Sequence, residues 1–325
     1  MTTPVLEVRD LEVAFDTRHG RLKAIDGVSF TIGAGEILGV VGESGAGKSL
    51  TGAAVIGLLE PPGRVTGGEI LLAGQRIDDL PAARMRALRG REIGAIFQDP
   101  LTSLNPLLRV GDQIVETIRT HLPMSERAAR ARALELLIAV GIPAAETRID
   151  HYPHQFSGGM RQRVVIALAL CAGPKLIIAD EPTTALDVSI QAQITGLLKR
   201  LCREHRTAVM LVTHDMGVIA ETADRVAVMY AGRVVEIGPV DDVIHRPRHP
   251  YSVGLMASIP SVRVRAAMLR QIDGAMPRLD AMPAGCAFHP RCPQRMPRCE
   301  AERPALGTAG VSRAACFLVE EAVHA

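Results

Sequence analysis

The 325 residues contain no tryptophan, and aromatics make up only 3% of them, so the chain has few flat side chains on which nucleobases could stack. Neither sign of charge is in surplus. Lys and Arg number 37 against 35 Asp and Glu, a formal net charge of +2, too little to draw a protein onto nucleic acid by bulk electrostatics. Long apolar runs are also lacking: the longest, Val164 to Ala179, is interrupted by Gly173, Pro174 and Lys175 and falls short of the ~20 residues that a membrane-spanning helix needs. The stretch Met1-Thr2-Thr3-Pro4-Val5-Leu6-Glu7-Val8 has neither a basic n-region nor an apolar h-region, which predicts a protein that is not secreted. No internal repeat and no heptad run is present.

Apolar residues reach 47%, enough to bury a core, and the length suits one large domain plus an appendage. Without a signal peptide, the six cysteines are expected to be thiols or metal ligands rather than disulfides. Cys171 and Cys202 lie in helical runs and read as small buried apolar residues. The other four, Cys286, Cys292, Cys299 and Cys316, fall in the last forty residues.

The most informative stretch is Gly42-Glu43-Ser44-Gly45-Ala46-Gly47-Lys48-Ser49. It follows the apolar run Ile37-Leu38-Gly39-Val40-Val41 and precedes a helix-like segment from Leu50 to Leu59. Glycines at this spacing let the backbone form a concave nest whose N–H groups point at phosphate oxygens, and the following helix adds the positive end of its dipole. Lys48 is then placed to reach the β- and γ-phosphates and Ser49 to ligate Mg²⁺.

Around this loop the chain alternates strands and helices. Residues 5 to 15 and 24 to 32 read as strands, and a helix from Lys48 is stopped by Pro61-Pro62-Gly63. Ala82 to Arg91 reads as a basic helical piece and Ile93 to Phe97 as a buried strand. From Leu101 to about Gln155 the character becomes helical: Ser125 is a candidate N-cap, with Ala129, Ala133, Leu134, Leu137 and Ile138 recurring at helical spacing. Val164 to Cys171 and Ile190 to His205 read as helices, Leu176 to Ala179 and Val209 to Val212 as strands, and Val226 to Tyr230 with Arg233 to Ile237 as a hairpin. Strands that each end in polar residues and are separated by helices imply an α/β fold with a mainly parallel sheet and ligands at the strands' carboxyl ends. Beyond about Arg246 the pattern dissolves into a tail rich in Pro, Arg and Cys, expected to be a separate unit. Its arginines Arg263, Arg265, Arg270 and Arg278 read as a solvated basic face rather than a headgroup-binding patch.

Leu176-Ile177-Ile178-Ala179-Asp180-Glu181 is an apolar strand that delivers two carboxylates side by side. Beside a phosphate loop, Asp180 suits the Mg²⁺ shell and Glu181 suits a general base that polarises an attacking water.

Further along, Tyr152-Pro153-His154-Gln155-Phe156-Ser157-Gly158-Gly159-Met160-Arg161-Gln162-Arg163 resembles the signature motif of ATP-binding cassette proteins. The resemblance spans residues 5 to about 245. Phe156 and Met160 stand where the consensus has Leu and Gln, which leaves the anion nest of Ser157, Gly158 and Gly159 untouched. The resemblance implies a P-loop NTPase with a RecA-like core, an antiparallel β subdomain and a helical subdomain at about 101–163. It further implies that Ser157, Gly158 and Gly159 cap the γ-phosphate held by an opposite subunit. By the same likeness Phe15 stacks on adenine, Gln98 touches Mg²⁺ and the attacking water, Asp187 lies in a loop that crosses the dimer interface, and His214 contacts the γ-phosphate and steadies Glu181.

Asp99-Pro100-Leu101-Thr102-Ser103-Leu104-Asn105-Pro106 resembles the ATPases of oligopeptide, dipeptide and nickel importers. His249-Pro250-Tyr251-Ser252 and Gly285-Cys286-Ala287-Phe288-His289-Pro290-Arg291-Cys292-Pro293 resemble their small Cys-rich C-terminal extension. This divides the chain into a nucleotide-binding domain, 1–248, and an extension, 249–325. The four tail cysteines have five, six and sixteen residues between them. Four thiolates in a segment poor in apolar residues suit a metal that supplies the missing core, with either Zn²⁺ or an iron–sulfur cluster compatible with thiolate ligation. The family resemblance points to a [4Fe-4S] cluster, with a structural or redox-sensing role. It also implies a second ATPase subunit, a paralogue or a second copy, two membrane permease subunits docked on the helical insertion, and an extracytoplasmic solute-binding protein, with no nucleic acid. The place of action would be the cytoplasmic face of the bacterial inner membrane, as a peripheral subunit. The expected activity is ATP hydrolysis coupled to uptake of dipeptides or oligopeptides. Nickel or glutathione import and a non-transport cassette ATPase are the alternatives.

Overall fold

The computed structural model describes residues 3–18, 20–184, 186–258 and 271–324; Arg263, Arg265 and Arg270 lie outside the described residues. In chain order the strands are β1 (Leu6–Thr17), β2 (Gly20–Ile32), β3 (Ile37–Val41), β4 (Gly63–Leu72), β5 (Gln75–Arg76), β6 (Ile93–Ile96), β7 (Leu176–Asp180), β8 (Ala208–Val212), β9 (Arg225–Tyr230), β10 (Arg233–Pro239), β11 (Gly307–Ala309) and β12 (Ser312–Ala314). The helices are α1 (Lys48–Val55), α2 (Ala82–Leu88), α3 (Pro100–Ser103), α4 (Val110–His121), α5 (Glu126–Ala139), α6 (Ala145–Arg148), α7 (Gly158–Leu170), α8 (Val188–His205), α9 (Met216–Thr222), α10 (Val240–His245), α11 (Pro250–Ala257), α12 (Pro297–Ala301) and α13 (Phe317–His324). None of the described helices is long and apolar enough to cross a membrane.

One compact unit gathers Met1–Leu6, Thr31–Ile37 and Leu71–Leu211. Its strands lie in the order β8-β7-β6, and β6 runs parallel to β7 with Ile93 opposite Leu176 and Ile96 opposite Ala179. Parallel pairing demands a crossover, and the long helical insertion supplies it. Ile114, Ile118, Ala129, Ala133, Leu137, Val164 and Ile166 are all fully buried. Each large aliphatic side chain among them contributes about 1.5–3 kcal/mol. Ser125 caps α5 as its sequence predicts, accepting from the Ala128 N–H. Helix α7 starts earlier than the apolar run suggests, at Gly158, because Ser157 caps it by accepting from the Met160 N–H.

The second unit gathers Glu7–Phe30, Leu38–Ile70 and Val212–Ala325. Here β2, β1 and β4 are neighbours, and a second group runs in the order β11-β12-β10-β9-β3. Strand β3 is parallel to β9, while β9–β10, β10–β12 and β11–β12 are antiparallel. Two short strands of the tail pair onto this sheet, β12 lying against β10 with Ala314 opposite Glu236 and Arg313 opposite Ile237. Helix α1 stops at Val55, short of the prolines. Gly57 has φ +63, and the Gly57 and Leu58 N–H groups turn back to the carbonyls of Ala54 and Ala53, a glycine-based C-terminal stop. Arg278 is strongly exposed and pairs with Asp280, in keeping with a solvated face.

Candidate functional site

Every residue of β3 is buried, which drives the chain through the core and delivers Gly42 at the strand's carboxyl end. Gly42 has φ +148, and a Cβ there would collide with the Met229 carbonyl oxygen. Gly47 has φ +100 and a Cβ would lie 2.6 Å from Ile25 Cδ1. Glycine is therefore fixed at both positions by backbone angle and by packing. Gly45, at φ +82, faces open space. Lys48 is 7% exposed, and its Nζ donates to the carbonyls of Gly42 at 2.8 Å and Glu43 at 3.1 Å, closing the loop on itself. Helix α1 has Gly47 as its cap and no side-chain cap, so its first N–H groups are donors suited to an anion. Ser44 and Ser49 are exposed and Ala46 is buried.

In the same unit Phe15 is half-buried, and a Cβ on Gly63 would lie 2.8 Å from its Cε1. The Thr213 N–H donates to the Val40 carbonyl at 3.3 Å. This pins the backbone just before the exposed His214 beside the end of the strand that leads into the phosphate loop.

In the other unit β7 ends on Asp180, and Glu181 follows with φ +47. A left-handed conformation at a non-glycine residue costs roughly 1–3 kcal/mol and persists only where the surroundings enforce it. The Thr184 N–H turns back to the Glu181 carbonyl at 3.2 Å, and the carboxylate is oriented by Gln98 Nε2, which donates to Oε2 at 3.2 Å, and by Thr184 Oγ1, which donates to the same oxygen at 2.9 Å. Ser157 and Gly158 are exposed at the start of α7. A Cβ on Gly159 would lie 2.6 Å from Ile190 Cγ2. Asp187 caps α8, accepting from the Ile190 N–H at 2.9 Å and the Ser189 hydroxyl at 2.7 Å. Those donors hold its carboxyl below the usual range.

Cys286, Cys292, Cys299 and Cys316 line one small chamber together with His249, Phe288 and Phe317. Burial raises the Cys286, Cys292 and Cys316 thiols, the last to about 11, so without a metal they stay protonated at neutral pH. Among the described residues no three His, Cys, Asp or Glu side chains converge closely enough to hold a metal ion. His249 is buried, its Nδ1 accepts from the Tyr251 N–H at 3.0 Å, and burial lowers its pKa to about 4. Cys171 and Cys202 are buried as predicted, with the Cys202 thiol donating to the Thr207 carbonyl.

A larger cavity in the second unit, about 640 Å³, is bordered by Lys23, Asp26, Arg233, Phe288 and Arg303. Asp26 alone engages Lys23, Arg233 and Arg303. Of the sequence-predicted site residues only Cys286 borders it.

Three contributors escaped the sequence. Thr184 lies in the stretch after the two carboxylates but carries no motif of its own. Tyr251 and Arg291 sit in recognisable tail motifs, yet their partner is Glu43 of the phosphate loop, 208 and 248 residues away. No local pattern reports contacts at such separations.

Residues 25–184 match the ABC transporter family profile, and residues 235–299 match that of the oligopeptide/dipeptide transporter C-terminal region. The dipeptide transport ATP-binding protein of Bacillus subtilis is 50% identical over 301 residues, 92% of this chain and 90% of that protein. The oligopeptide transport ATP-binding protein of Salmonella typhimurium is 49% identical over 313 residues, 96% of this chain and 93% of that protein. Among solved structures, a dimeric ATP-binding cassette in a post-hydrolysis state bound to ADP and Pi superposes with a TM-score of 0.64 at 30% identity. It covers 72% of this chain and 98% of that one.

Proposed function

The chain belongs to the ABC transporter family, among the ATP-binding proteins of oligopeptide and dipeptide transport, and from that membership we propose that it is the ATPase subunit of a peptide importer. The observation that carries the chemistry is Glu181, left-handed in its backbone at the end of an apolar strand, with its carboxylate oriented by Gln98 and Thr184. Strain kept at a carboxylate beside a metal-type Asp fits a group whose direction matters.

ATP is bound by residues 42–49, with Phe15 against the adenine and Lys48 and His214 neutralising charge on the γ-phosphate. Ser49, Gln98 and Asp180 are hard oxygen donors that would hold Mg²⁺, and the ion would supply charge neutralisation at the phosphate oxygens. Glu181 takes a proton from water as the water oxygen bonds to the γ-phosphorus and the bond to the bridging oxygen breaks, leaving ADP and phosphate. Ser157, Gly158 and Gly159 complete the site of a second ATPase subunit, a paralogue or another copy, and Asp187 lies at that interface. The exposure of Ser157 and Gly158 at the start of α7 supports this arrangement. The nucleotide-binding domain spans 1–248 and the extension 249–325. Two permease subunits dock on the helical insertion, where Leu107 and Leu108 are exposed, at the cytoplasmic face of the inner membrane. A solute-binding protein delivers peptide from outside.

The tail thiols suit a [4Fe-4S] cluster, with Zn²⁺ as the alternative: four soft donors around one chamber walled by Phe288 and Phe317 are the right donor chemistry. Such a group would supply cross-linking of the tail and a redox centre.

The test is reconstitution with the permease subunits in vesicles. ATP hydrolysis should rise when peptide-loaded binding protein is added. A complex that ignores peptides and responds to nickel would overturn the peptide assignment.

A further inference from the structure

Glu43, the second residue of the phosphate loop, is gripped from the C-terminal extension. Its N–H donates to Tyr251 Oη at 2.9 Å. Arg291 Nη1 donates to the two carboxylate oxygens at 3.2 and 3.1 Å. The Glu43 carbonyl, for its part, accepts from Lys48 Nζ. All three polar groups of this one residue are therefore engaged.

The grip is built rather than incidental. The Arg291 side chain is only 6% exposed, and its other N–H groups are also placed: Nε donates to the Asp273 carbonyl at 2.8 Å and Nη2 to the Ile272 carbonyl at 3.2 Å. Tyr251 is fully buried, its ring 4.7 Å from that of Tyr230 and 5.4 Å from that of Phe288. The Arg291 guanidinium lies 5.7 Å from the Tyr230 ring centre. A forked cation seated on aromatic walls has little freedom, so neither does the carboxylate it holds.

Two consequences follow for a loop that receives phosphates. An anion nest binds well only if its N–H groups hold their direction before the ligand arrives. A carboxylate beside the bound phosphates also repels them unless a cation neutralises it. We propose that Arg291 and Tyr251 are positioning residues for nucleotide binding: they fix Glu43, mask its charge, and make the extension a structural part of the phosphate site. This rests on residues 42–49 being the ATP loop.

The test uses the full chain, titrated with a fluorescent ATP analogue, with hydrogen exchange on the peptide covering 42–49 measured without nucleotide. Arg291→Met should weaken binding about tenfold and Arg291→Lys about threefold, since Lys keeps the charge and loses the fork. Adding Glu43→Gln to Arg291→Met should recover most of the loss, because it removes the unpaired carboxylate. Loop exchange should accelerate in Arg291→Met and in Tyr251→Phe. Wild-type affinity with unchanged loop protection in Arg291→Met overturns the proposal, as does a loss that Glu43→Gln leaves in place, since a damaged fold is not rescued by removing a charge. If Lys48→Ala binds the analogue like the wild type, the assignment of the loop to ATP fails, and the exchange data still decide whether Arg291 holds it.

Discussion

Gln98 and Glu181, 83 residues apart, meet through a 3.2 Å hydrogen bond at the edge of the β6–β7 pair. The amide donates to the carboxylate and fixes its direction, as a general base that must meet one water requires. Glu181→Gln should therefore leave ATP affinity near the wild-type value and lower turnover by roughly 10²–10⁴. Steady-state hydrolysis and nucleotide binding measured on the same preparation check this. Turnover at the wild-type rate would remove Glu181 from the chemistry.

The Gln98 side chain touches the Glu181 carboxylate, so in the proposed reaction it acts as a positioning residue. Gln98→Ala should reduce kcat by about tenfold or more with a smaller change in KM for ATP, the pattern expected when orientation rather than binding is lost. A change confined to KM would contradict the positioning role.

Two glycines of the loop should differ sharply in tolerance. Gly45→Ala meets open space and bears only the left-handed backbone penalty of about 1–2 kcal/mol. Gly42→Ala must also displace the Met229 carbonyl. Thermal melts and nucleotide binding should show Gly42→Ala clearly the more damaged of the two. Equal damage would refute the packing argument.

His249 makes stability pH-dependent. Burial lowers its folded pKa to about 4, against an ordinary value of 6.5. Between those values the unfolded chain takes up a proton that the folded chain refuses, so this contribution is present above pH 6.5 and is lost progressively as pH falls toward 4. His249→Asn keeps an acceptor for the Tyr251 N–H without a titrating ring. Its Tm should fall less than that of the wild type between pH 7 and pH 5, and parallel curves would count against the assignment.

The chamber of thiols yields a chemical prediction. Anaerobically prepared protein should be brown, with an absorbance near ~400 nm that Cys286→Ser abolishes together with the bound iron. A colourless preparation that contains zinc would favour the alternative ligand. One that contains neither metal would leave the thiols as buried side chains.

The phosphate loop, the Asp180–Glu181 pair and the Ser125 cap were legible because each is written within a dozen residues, where glycine freedom, capping and apolar runs act locally. Helix α4 was less legible. Val110, Ile114 and Ile118 recur every fourth residue, but Arg109 is not a side-chain cap and Gly111 disguises the start. That glycine exists because Ile149 packs against it, a fact of tertiary structure. The same holds for Glu43, whose partners come from the far end of the chain. The tail cysteines fall between these cases: their grouping was readable from spacing, whereas the arrangement of their sulfurs depends on the packing of Phe288, Phe317 and His249.

The pairing of β12 with β10 bears on how the protein can be handled. Strand β10 carries Val234, Val235 and Ile237, all buried, and β12 occupies its outer edge through Ala314 and Arg313. A chain cut after the cassette-like portion would leave that apolar edge with unpaired N–H and C=O groups, a template for intermolecular β-pairing. Truncations near residue 248 should therefore aggregate, and only the intact chain should remain dispersed in solution.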